Sequence, residues 1–329
     1  MRFISRLLPI ISLFPPEVSH SLSLVGLKTL SLFFTKSPKP ICSNPINILG
    51  YDFSNRIGLA AGMDKNADYI DALSYLGFSF LELGTLTPKG QKGNFKPRLF
   101  RIKEEESLIN SMGFNNKGIE HAVSRIKKSK SQAIIGLSIG KNQGTPLDKA
   151  DEDYLFCFRQ AYPVCDYVAV NISSPNTKDL RQLEGEKYFS NLITSLKREQ
   201  NFMLKKYGYK PIILKLSPDL KEIDFENICK NILDKDIDGI IYSNTTVSHD
   251  YPQLGGLSGE SLFKISNNNL KSFRDFLGPT FPIIASGGVM SLEHYQTKLK
   301  LGANLVQLYT GLIYKGPYLV SEILNSGES

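Results

Sequence analysis

The stretch Asn171-Ile-Ser-Ser-Pro-Asn-Thr177 concentrates hydrogen-bonding side chains directly after a largely apolar run, Asp166-Tyr-Val-Ala-Val170. The run is typical of a buried parallel strand, and Pro175 ends the strand and stiffens the turn that follows. Amides and hydroxyls held rigidly at the end of a strand could bind a small flat ligand. Ser, Asn and Pro also build ordinary turns, so the stretch alone fits either interpretation.

Seven other short apolar runs also end in polar or glycine-rich segments, and the eight segments together are rich in Asn, Lys, Thr and Gly. They contain no His, no Cys and a single acid, Asp64. A metal site needs carboxylates, imidazoles or thiolates, a glycosidase needs two carboxylates, and a Ser-His-Asp triad needs a histidine. The sequence therefore indicates none of these. The seven segments are Ala61-Gly-Met-Asp-Lys65, Gly84-Thr85, Ser138-Ile-Gly-Lys-Asn142, Lys215-Leu-Ser217, Ser243-Asn-Thr-Thr246, Ser286-Gly-Gly288 and Tyr309-Thr-Gly311.

The chemistry that remains is that of amides, hydroxyls and lysines. An Asn amide both donates and accepts, so the Asn side chains at 110 (in a predicted loop), 171, 176 and 244 suit a ring that carries amides. Lys65 and Lys215 supply positive charge for an anionic group or for a cofactor that becomes anionic. The alternative for either lysine is a side chain that extends along the surface into water.

The apolar runs alternate with helical segments in a regular way. A short hairpin, Ile46–Phe53, turning near Gly50, precedes eight strand–helix units spread over about 270 residues, a pattern that predicts an α/β fold, a (β/α)8 TIM barrel. A doubly wound sheet is the alternative, but no GxGxxG follows the first strand. The predicted strands are Ile57–Ala61, Phe78–Leu83, Ala133–Ile139, Tyr167–Ile172, Ile212–Leu216, Gly239–Tyr242, Pro282–Ala285 and Leu305–Tyr309; the helices fall near 66–76, 115–129, 148–161, 184–206, 223–235, 261–277, 291–300 and after Pro317.

In such a barrel the chemistry lies at the carboxyl ends of the strands, and the loops after strands 7 and 8 frequently hold phosphate. Ser286–Gly288 and Tyr309–Gly311 occupy those loops, and Gly255–Gly259 is a further loop that allows close approach. A phosphate site without strong acids or bases favours a cofactor that carries the chemistry. Flavin mononucleotide (FMN) fits, with Lys215 near its ring. Ser174 is then the remaining proton acceptor, which requires a shielded site and a relay through Thr177 or water.

Residues 1–40 differ in character from the rest of the chain and predict a small N-terminal helical extension. Pro15-Pro16-Glu17 is typical of a helix start, and apolar residues at helical spacing follow from Val18 to Phe33. With the segment from Phe3 to Phe14 this predicts two short amphipathic helices, which either cap the main domain or lie in a membrane interface. The start resembles a signal peptide only superficially, since the apolar stretch is short, contains Pro9 and has no cleavage site after it. Pro38, Pro40 and Pro45 form a linker to the domain predicted for 41–329.

Composition narrows the cellular setting. The chain has 329 residues and a formal net charge of +7, which favours anionic ligands or an anionic membrane surface. It has neither a long basic block nor a recognisable nucleic-acid module, so no nucleic-acid partner is expected. The four cysteines lack CxxC spacing, which suits free thiols in a reducing compartment. No apolar run is long enough to span a bilayer.

Motifs along nearly the whole chain resemble the dihydroorotate dehydrogenase family, and within it the membrane-associated, quinone-using class 2. Ser174 stands where the soluble class has Cys, and Pro16-Glu-Val-Ser-His20 resembles the class 2 helix beside the quinone. The motifs are Gly58-Leu-Ala-Ala-Gly-Met-Asp-Lys65, Lys96-Pro-Arg-Leu-Phe-Arg101, Ile109-Asn-Ser-Met-Gly-Phe-Asn115, Asn171–Thr177, Ser243–Thr246, Gly255–Gly259 and Val306-Gln-Leu-Tyr-Thr310.

The resemblance implies oxidation of (S)-dihydroorotate to orotate in pyrimidine (UMP) biosynthesis, with Ser174 as the base that removes the C5 proton and one non-covalent FMN as hydride acceptor. Thr177 and Phe114 would relay or shield the proton. The implied substrate residues are Lys65, Asn110, Ser111, Met112, Gly113, Phe114, Asn171, Asn176, Asn244 and Thr245. The implied FMN residues are Ala61, Gly62, Met63, Asp64, Lys65, Thr85, Ser138, Asn171, Lys215, Ser243, Gly259, Gly288, Tyr309 and Thr310.

The same resemblance implies that ubiquinone or a related quinone enters between the N-terminal helices, near His20, Arg101 and Tyr309. The protein is then expected at the membrane surface as a peripheral protein, on the cytoplasmic face of the cell membrane. One position departs from the family: Ser138 stands where a flavin-contacting Asn is usual, so its contact with the flavin would be lost or bridged by water. The alternatives are a soluble-class dihydroorotate dehydrogenase using fumarate or NAD, another flavin barrel such as a tRNA dihydrouridine synthase, and a non-catalytic, membrane-peripheral barrel protein.

Overall fold

Eight parallel strands close into a barrel in the computed structural model, which describes residues 8–34, 39–177, 180–184 and 186–326. The barrel strands are β3 (Ile57–Leu59), β4 (Phe80–Leu86), β7 (Ile134–Ile139), β8 (Tyr167–Asn171), β9 (Ile212–Leu216), β10 (Gly239–Tyr242), β12 (Ile283–Ala285) and β13 (Leu305–Leu308). They pair in that order, and β13 returns to β3. The predicted (β/α)8 barrel is confirmed, and each strand lies within three residues of its predicted bounds.

The barrel core has two parts. Most buried side chains lie between the barrel wall and the surrounding helices. A smaller cluster, which includes Phe53, Phe80 and Tyr167, fills the barrel interior at its amino-terminal end. The antiparallel hairpin β1 (Ile46–Ile48) and β2 (Tyr51–Phe53) packs against this cluster and closes that end of the barrel.

Helices follow the strands as predicted, but the helix predicted near 115–129 is only Ile119–Ile126, the helix Thr310–Lys315 was not predicted, and the first helix of the barrel is also short. The helices of the barrel are α3 (Ile70–Ser74), α4 (Ile119–Ile126), α5 (Ala150–Ala161), α6 (Glu186–Tyr207), α7 (Glu222–Asp234), α8 (Phe263–Leu277), α9 (Leu292–Lys300), α10 (Thr310–Lys315) and α11 (Pro317–Asn325). The helix predicted for 66–76 is only Ile70–Ser74, because the Asp64 carboxylate accepts the backbone N–H groups of Asn66, Asp68 and Tyr69 and holds that segment as a turn.

A three-stranded antiparallel sheet lies over the carboxyl ends of the barrel strands. Its strands are β5 (Leu99–Ile102), β6 (Ser107–Asn110) and β11 (Gly256–Gly259), with β6 in the centre. The loop predictions for Asn110 and for Gly255–Gly259 were therefore wrong, since Asn110 ends β6 and residues 256–259 are β11. The glycines allow this pairing: a Cβ at Gly259 (φ +99°) would lie 2.5 Å from the Glu106 carbonyl oxygen.

The two N-terminal helices are α1 (Leu8–Ile11) and α2 (Pro16–Ser31), and the predicted helical extension is confirmed over these residues. Residues 1–7 and 35–38, which include Phe3 and Pro38, lie outside the described residues. The Arg98 guanidinium makes a bidentate ion pair with Glu17, at 3.0 and 3.1 Å, and so ties α2 to the residue before β5. In the described part of the chain, no helix combines the length and apolar character needed to cross a bilayer.

Candidate active site

The residues after β8 place Ser174 in the wall of a cavity at the carboxyl end of the barrel. Ser174 is buried, and its Oγ accepts the backbone N–H of Asn176 at 3.3 Å, a local turn that fixes the hydroxyl. Thr177 is also buried, and its Oγ1 has no hydrogen-bond partner among the described residues. A free hydroxyl three residues after Ser174 is available to a proton relay.

The four predicted Asn residues lie around this cavity and are linked to one another and to neighbouring groups. Asn176 Nδ2 donates to Asn110 Oδ1 at 3.0 Å, and Asn110 Nδ2 donates to the Gly256 carbonyl at 3.2 Å. Asn244 Nδ2 donates to Ser173 Oγ at 3.0 Å, while Asn171 Nδ2 donates to Thr85 Oγ1 at 3.0 Å. Each amide is therefore held in one orientation, as recognition of a flat ring with donors and acceptors requires.

Lys65 lines the cavity from the loop after β3. Its Nζ donates to the Gly62 carbonyl at 2.6 Å. Burial lowers the pKa of Lys65 to about 8, although the nearby Glu17 carboxylate raises it in part. The lysine is therefore charged at neutral pH, and its pKa is only about one unit above that pH. An anionic ligand beside Lys65 would stabilise the charged form of the side chain.

Lys215 enters the cavity from β9 and is paired with a carboxylate that the sequence did not reveal. Its Nζ lies 3.3 Å from Glu82 Oε1, and Glu82 is fully buried inside the barrel. Gln307 Nε2 donates to Glu82 Oε2 at 2.7 Å, while the Gln307 Oε1 atom is buried without a partner in the described chain. The pair fixes Lys215 toward the cavity and leaves an amide oxygen available for a ligand's N–H group.

The glycine-rich loop after β12 and the residues after β13 form another wall of the cavity; the loop prediction for Tyr309–Gly311 was wrong, because Thr310 and Gly311 begin α10. Gly287 and Gly288 have φ values of +93° and +79°, and a Cβ at Gly288 would lie 2.3 Å from Phe263 Cα. Only glycine fits at Gly288, and the bare backbone there can approach a phosphate closely. Ser258 Oγ lies 2.9 Å from Thr310 Oγ1 and places a hydroxyl pair beside this wall.

A second and larger cavity, lined mostly by apolar groups, lies between the N-terminal helices and the barrel. His20 and Arg101 line it, and His20 Nε2 donates to the Met63 carbonyl at 2.8 Å. Burial and the Lys65 charge lower the pKa of His20 to about 4, so its imidazole is neutral. Arg101 Nη1 donates to the carbonyls of Ser12 and Phe14, which holds the turn between α1 and α2.

The two cavities meet at shared residues: Lys65, Met112, Asn115 and Tyr309 line both. Burial raises the pKa of Tyr309 to about 12, which keeps its phenol neutral. This contact puts a polar cavity beside an apolar one, with only a few side chains between them.

The structure brings most of the predicted site residues together at the first cavity. Met63 and Asp64 line the second cavity instead. Ser138 is not part of the cavity wall; its hydroxyl oxygen lies 2.9 Å from that of Thr85. Ser111 is also absent from the cavity wall, and its carbonyl accepts a hydrogen bond from Asn94 Nδ2 at 2.9 Å. Residues of the wall that were not predicted as site residues are Ala60, Gly84, Asn115, Ser258, Leu262, Ser286, Gly287, Val289, Gln307 and Gly311. Eight of them stand in segments or motifs quoted above, and only Leu262 and Val289 carry no chemical signal in the sequence.

The residues present fit a flavin nucleotide. The glycine-rich loop after β12 suits its phosphate, and Lys215 and the buried Gln307 Oε1 suit a heterocycle with acceptors and an N–H group. Among the described residues, no group of three or more His, Cys, Asp or Glu side chains could hold a metal ion. Fold and site together define a (β/α)8-barrel oxidoreductase with a cofactor-binding cavity at the carboxyl face.

Comparison with known proteins identifies the family. The family model for dihydroorotate dehydrogenase matches residues 45–327, and the chain belongs to the dihydroorotate dehydrogenase family, whose members are flavin-dependent oxidoreductases. A dihydroorotate dehydrogenase (quinone) of Legionella pneumophila strain Corby is 44% identical over 329 residues, with 98% of each chain covered. That of Nitrosomonas eutropha is 44% identical over 323 residues, with 96% of this chain and 94% of the relative covered.

Solved structures agree with these relatives. The crystal structure of the dihydroorotate dehydrogenase of Eimeria tenella in complex with ferulenol matches with a TM-score of 0.87 and 29% sequence identity. The match covers 98% of this chain and 93% of that one. The N-terminal helices are thus part of the shared structure as well as the barrel.

Proposed function

We propose that this protein is a class 2 enzyme that oxidises (S)-dihydroorotate to orotate in pyrimidine (UMP) biosynthesis and delivers the electrons to a quinone. The observation that carries the proposal is the meeting of the two cavities at Lys65 and Tyr309, since substrate and quinone chemistry need separate but adjacent sites. The soluble-class alternative predicts Cys at 174 and no N-terminal helices, whereas this chain has Ser174 and α2. The relatives named above are quinone enzymes.

Substrate binding falls to the groups around Ser174. Lys65 pairs with the substrate carboxylate, and the amides of Asn110, Asn171, Asn176 and Asn244 bind the ring amides. Ser174 removes the C5 proton, and the unpartnered Thr177 hydroxyl carries that proton toward solvent. Phe114, also in the cavity wall, excludes water from the hydroxyl and so allows this weak base to act.

We propose one non-covalent FMN per chain. When bound, FMN would supply a hydride acceptor for C6 of the substrate and a source of electrons for the quinone. The glycines at 259 and 288 and Thr310 would hold its phosphate, while Ala61, Gly62, Thr85, Asn171, Ser243 and Tyr309 would surround its ring and chain. Lys215, held by Glu82, supplies positive charge beside the ring. Ser138 acts through Thr85, because its hydroxyl reaches the Thr85 hydroxyl.

The decisive assay is dihydroorotate oxidation by the purified, FMN-loaded protein with a quinone, fumarate and NAD supplied separately. We expect turnover with the quinone alone. Failure to oxidise dihydroorotate with any acceptor would refute the enzymatic proposal, and turnover with fumarate but not with the quinone would refute the class 2 assignment.

We also propose that the N-terminal helices bind the surface of the cell membrane as a peripheral contact, on its cytoplasmic face. Apolar side chains on and beside α2 are exposed, among them Leu22, Val25 and Phe33. The quinone is itself dissolved in the membrane, so a cavity that opens beneath these helices gives it direct access. The four cysteines are free thiols, which supports a position on the cytoplasmic side of the membrane, where the surroundings are reducing.

The membrane contact is tested by sedimentation with phospholipid vesicles. We expect the double variant Leu22→Asp/Val25→Asp to lose most vesicle binding, because each charge would have to enter the interface. Ile223→Asp is the matched control, since Ile223 is equally apolar and 68% exposed on α7, away from the N-terminal helices. Equal binding by all three proteins would refute the assignment of these helices to the membrane.

A further inference from the structure

The segment that follows the Ser174 loop carries an arginine that joins three of the loops around the cavity. Arg181, in the short 3-10 helix Leu180–Glu184, donates from Nε to the Ser173 carbonyl at 3.1 Å and from Nη2 to the Thr245 carbonyl at 2.9 Å. Its Nη1 donates to Asp219 Oδ2 at 2.7 Å. The three acceptors follow β8, β10 and β9 respectively, so one side chain spans three adjacent barrel strands.

Asp219 holds the arginine and extends the connection. Its backbone N–H donates to Ser217 Oγ at 3.1 Å, and its Oδ2 also accepts the backbone N–H of Val247 at 2.9 Å. Its Oδ1 accepts the Thr246 hydroxyl. Both charged side chains are largely withdrawn from solvent, at 22% and 17% exposure. Because the partners are ionised and partly desolvated, these hydrogen bonds are stronger and shorter than neutral ones.

The carbonyls of Ser173 and Thr245, to which Arg181 donates, belong to two loops of the proposed substrate site. Ser173 is joined by one peptide bond to Ser174, and Thr245 lines the first cavity beside Asn244. Space between these loops is tight, since a Cβ added at Gly256 would lie 1.9 Å from Thr245 Oγ1 and 3.2 Å from Pro175 Cγ. A loss of the connection would therefore let the Ser174 loop move relative to the substrate-binding wall.

We propose that Arg181 is a positioning residue for proton removal. Together with Asp219 it fixes the position of the Ser174 loop relative to the Thr245 loop. The proposal rests on the proposed function. An arginine is required because its planar guanidinium directs donors toward several acceptors at once, whereas a lysine offers a single nitrogen. None of Ser173, Asp219 and Thr245 lines the second cavity, so the connection serves the step that reduces the flavin and not the step that reduces the quinone.

The test separates the two half-reactions in Arg181→Lys and Asp219→Asn, each loaded with FMN. We expect flavin reduction by dihydroorotate to slow about 10- to 100-fold, because displacements on the order of 1 Å at a reacting centre have effects of that size. The kinetic isotope effect from deuterium at C5 should rise, since proton removal becomes slower relative to the other steps. Reoxidation of the reduced flavin by the quinone should stay within about twofold of the wild-type rate.

Arg159→Lys is the matched control. Arg159 makes a comparable ion pair, with its Nη2 2.7 Å from Glu199 Oε2, but its side chain is 54% exposed on the outer helix α5. We expect wild-type rates in both half-reactions for this variant.

Three results would overturn the proposal: flavin reduction within twofold of wild type in Arg181→Lys, equal slowing of both half-reactions, or loss of FMN from the variants, which would mark a role in the fold. Failure of the wild-type protein itself to be reduced by dihydroorotate would instead overturn the proposed function.

Discussion

The charge of Lys65 predicts how the affinity for orotate changes with pH. Burial lowers the pKa of Lys65 to about 8. In the proposed site only the protonated lysine would pair with the ligand's carboxylate, and the charged fraction is about nine-tenths at pH 7 but about one-tenth at pH 9 for such a pKa. We therefore expect the dissociation constant for orotate to rise about tenfold between pH 7 and pH 9, with the upward break near pH 8.

The assay is titration of the FMN-loaded protein with orotate, followed by the change in flavin absorbance, at half-unit steps of pH. Lys65→Arg is the control, because arginine stays charged throughout this range; any pH dependence left in that variant belongs to the ligand or to other groups. Lys65→Met should bind orotate about 10- to 100-fold more weakly at pH 7, the loss expected for a hydrogen bond to a charged group.

A second variant tests the cause of the shift. The Glu17 carboxylate raises the pKa of Lys65, so Glu17→Gln should move the break to lower pH. The reasoning fails if the wild-type dissociation constant is flat from pH 7 to 9, or if the break persists unchanged in Lys65→Arg.

Further predictions concern the base, the cavity wall and a buried charge. Ser174→Ala should keep its FMN but reduce the flavin about 10²- to 10⁴-fold more slowly in stopped-flow measurements; a rate near wild type would remove Ser174 as the base. Gly140→Ala should weaken orotate binding by about 1–3 kcal/mol, because the added Cβ would lie 2.9 Å from the Phe114 ring; Gly144→Ala, with nothing within 4 Å, is the control and should bind as wild type does. Lys298 is buried with its Nζ 2.5 Å from Ser266 Oγ, and burial lowers its pKa to about 7. Because the unfolded lysine keeps a pKa near 10.4, the unfolded chain holds more protons between pH 7 and 10, and this residue makes the free energy of unfolding rise by about 1.4 kcal/mol per pH unit there. Urea unfolding at pH 7 and 9 should show a smaller rise in the free energy of unfolding with pH in Lys298→Met than in the wild type. An identical rise in both proteins would contradict the attribution of this pH dependence to Lys298.

The sequence predicted those parts of the structure that leave a local pattern. Each barrel strand is a short apolar run, and the polar segments after the runs converge because parallel strands end at one face of the barrel. The same rule selects Ser174, Lys65 and the Asn residues at 171, 176 and 244 from the sequence, whereas Asn110 ends β6 and follows no barrel strand. The three-stranded sheet left no such pattern, because β6 and β11 are short and far apart in sequence, and β11 begins and ends with glycine.

Residues that act through partners distant in sequence could not be predicted. Glu82 is an acid within an apolar run, and its partner Lys215 lies 133 positions away. Arg181 looks like an ordinary surface arginine until the fold brings the Ser173 and Thr245 carbonyls to it. Lys298 reads as part of a solvated helix face, whereas α9 buries it against Ser266. Residue type and spacing predict burial only on average, and most charged residues are exposed. A charged side chain that is buried with a partner distant in sequence is therefore visible only in the structure.

The central claim is that dihydroorotate reduces a bound flavin at one cavity and a quinone reoxidises it from the other. Anaerobic stopped-flow spectroscopy tests this directly, by mixing the FMN-loaded protein with dihydroorotate and then with a water-soluble quinone, fumarate or NAD in separate runs. We expect the flavin absorbance to bleach in the first mixing and to return only with the quinone. A flavin that dihydroorotate does not bleach, or one that fumarate or NAD restores while the quinone does not, would contradict the account.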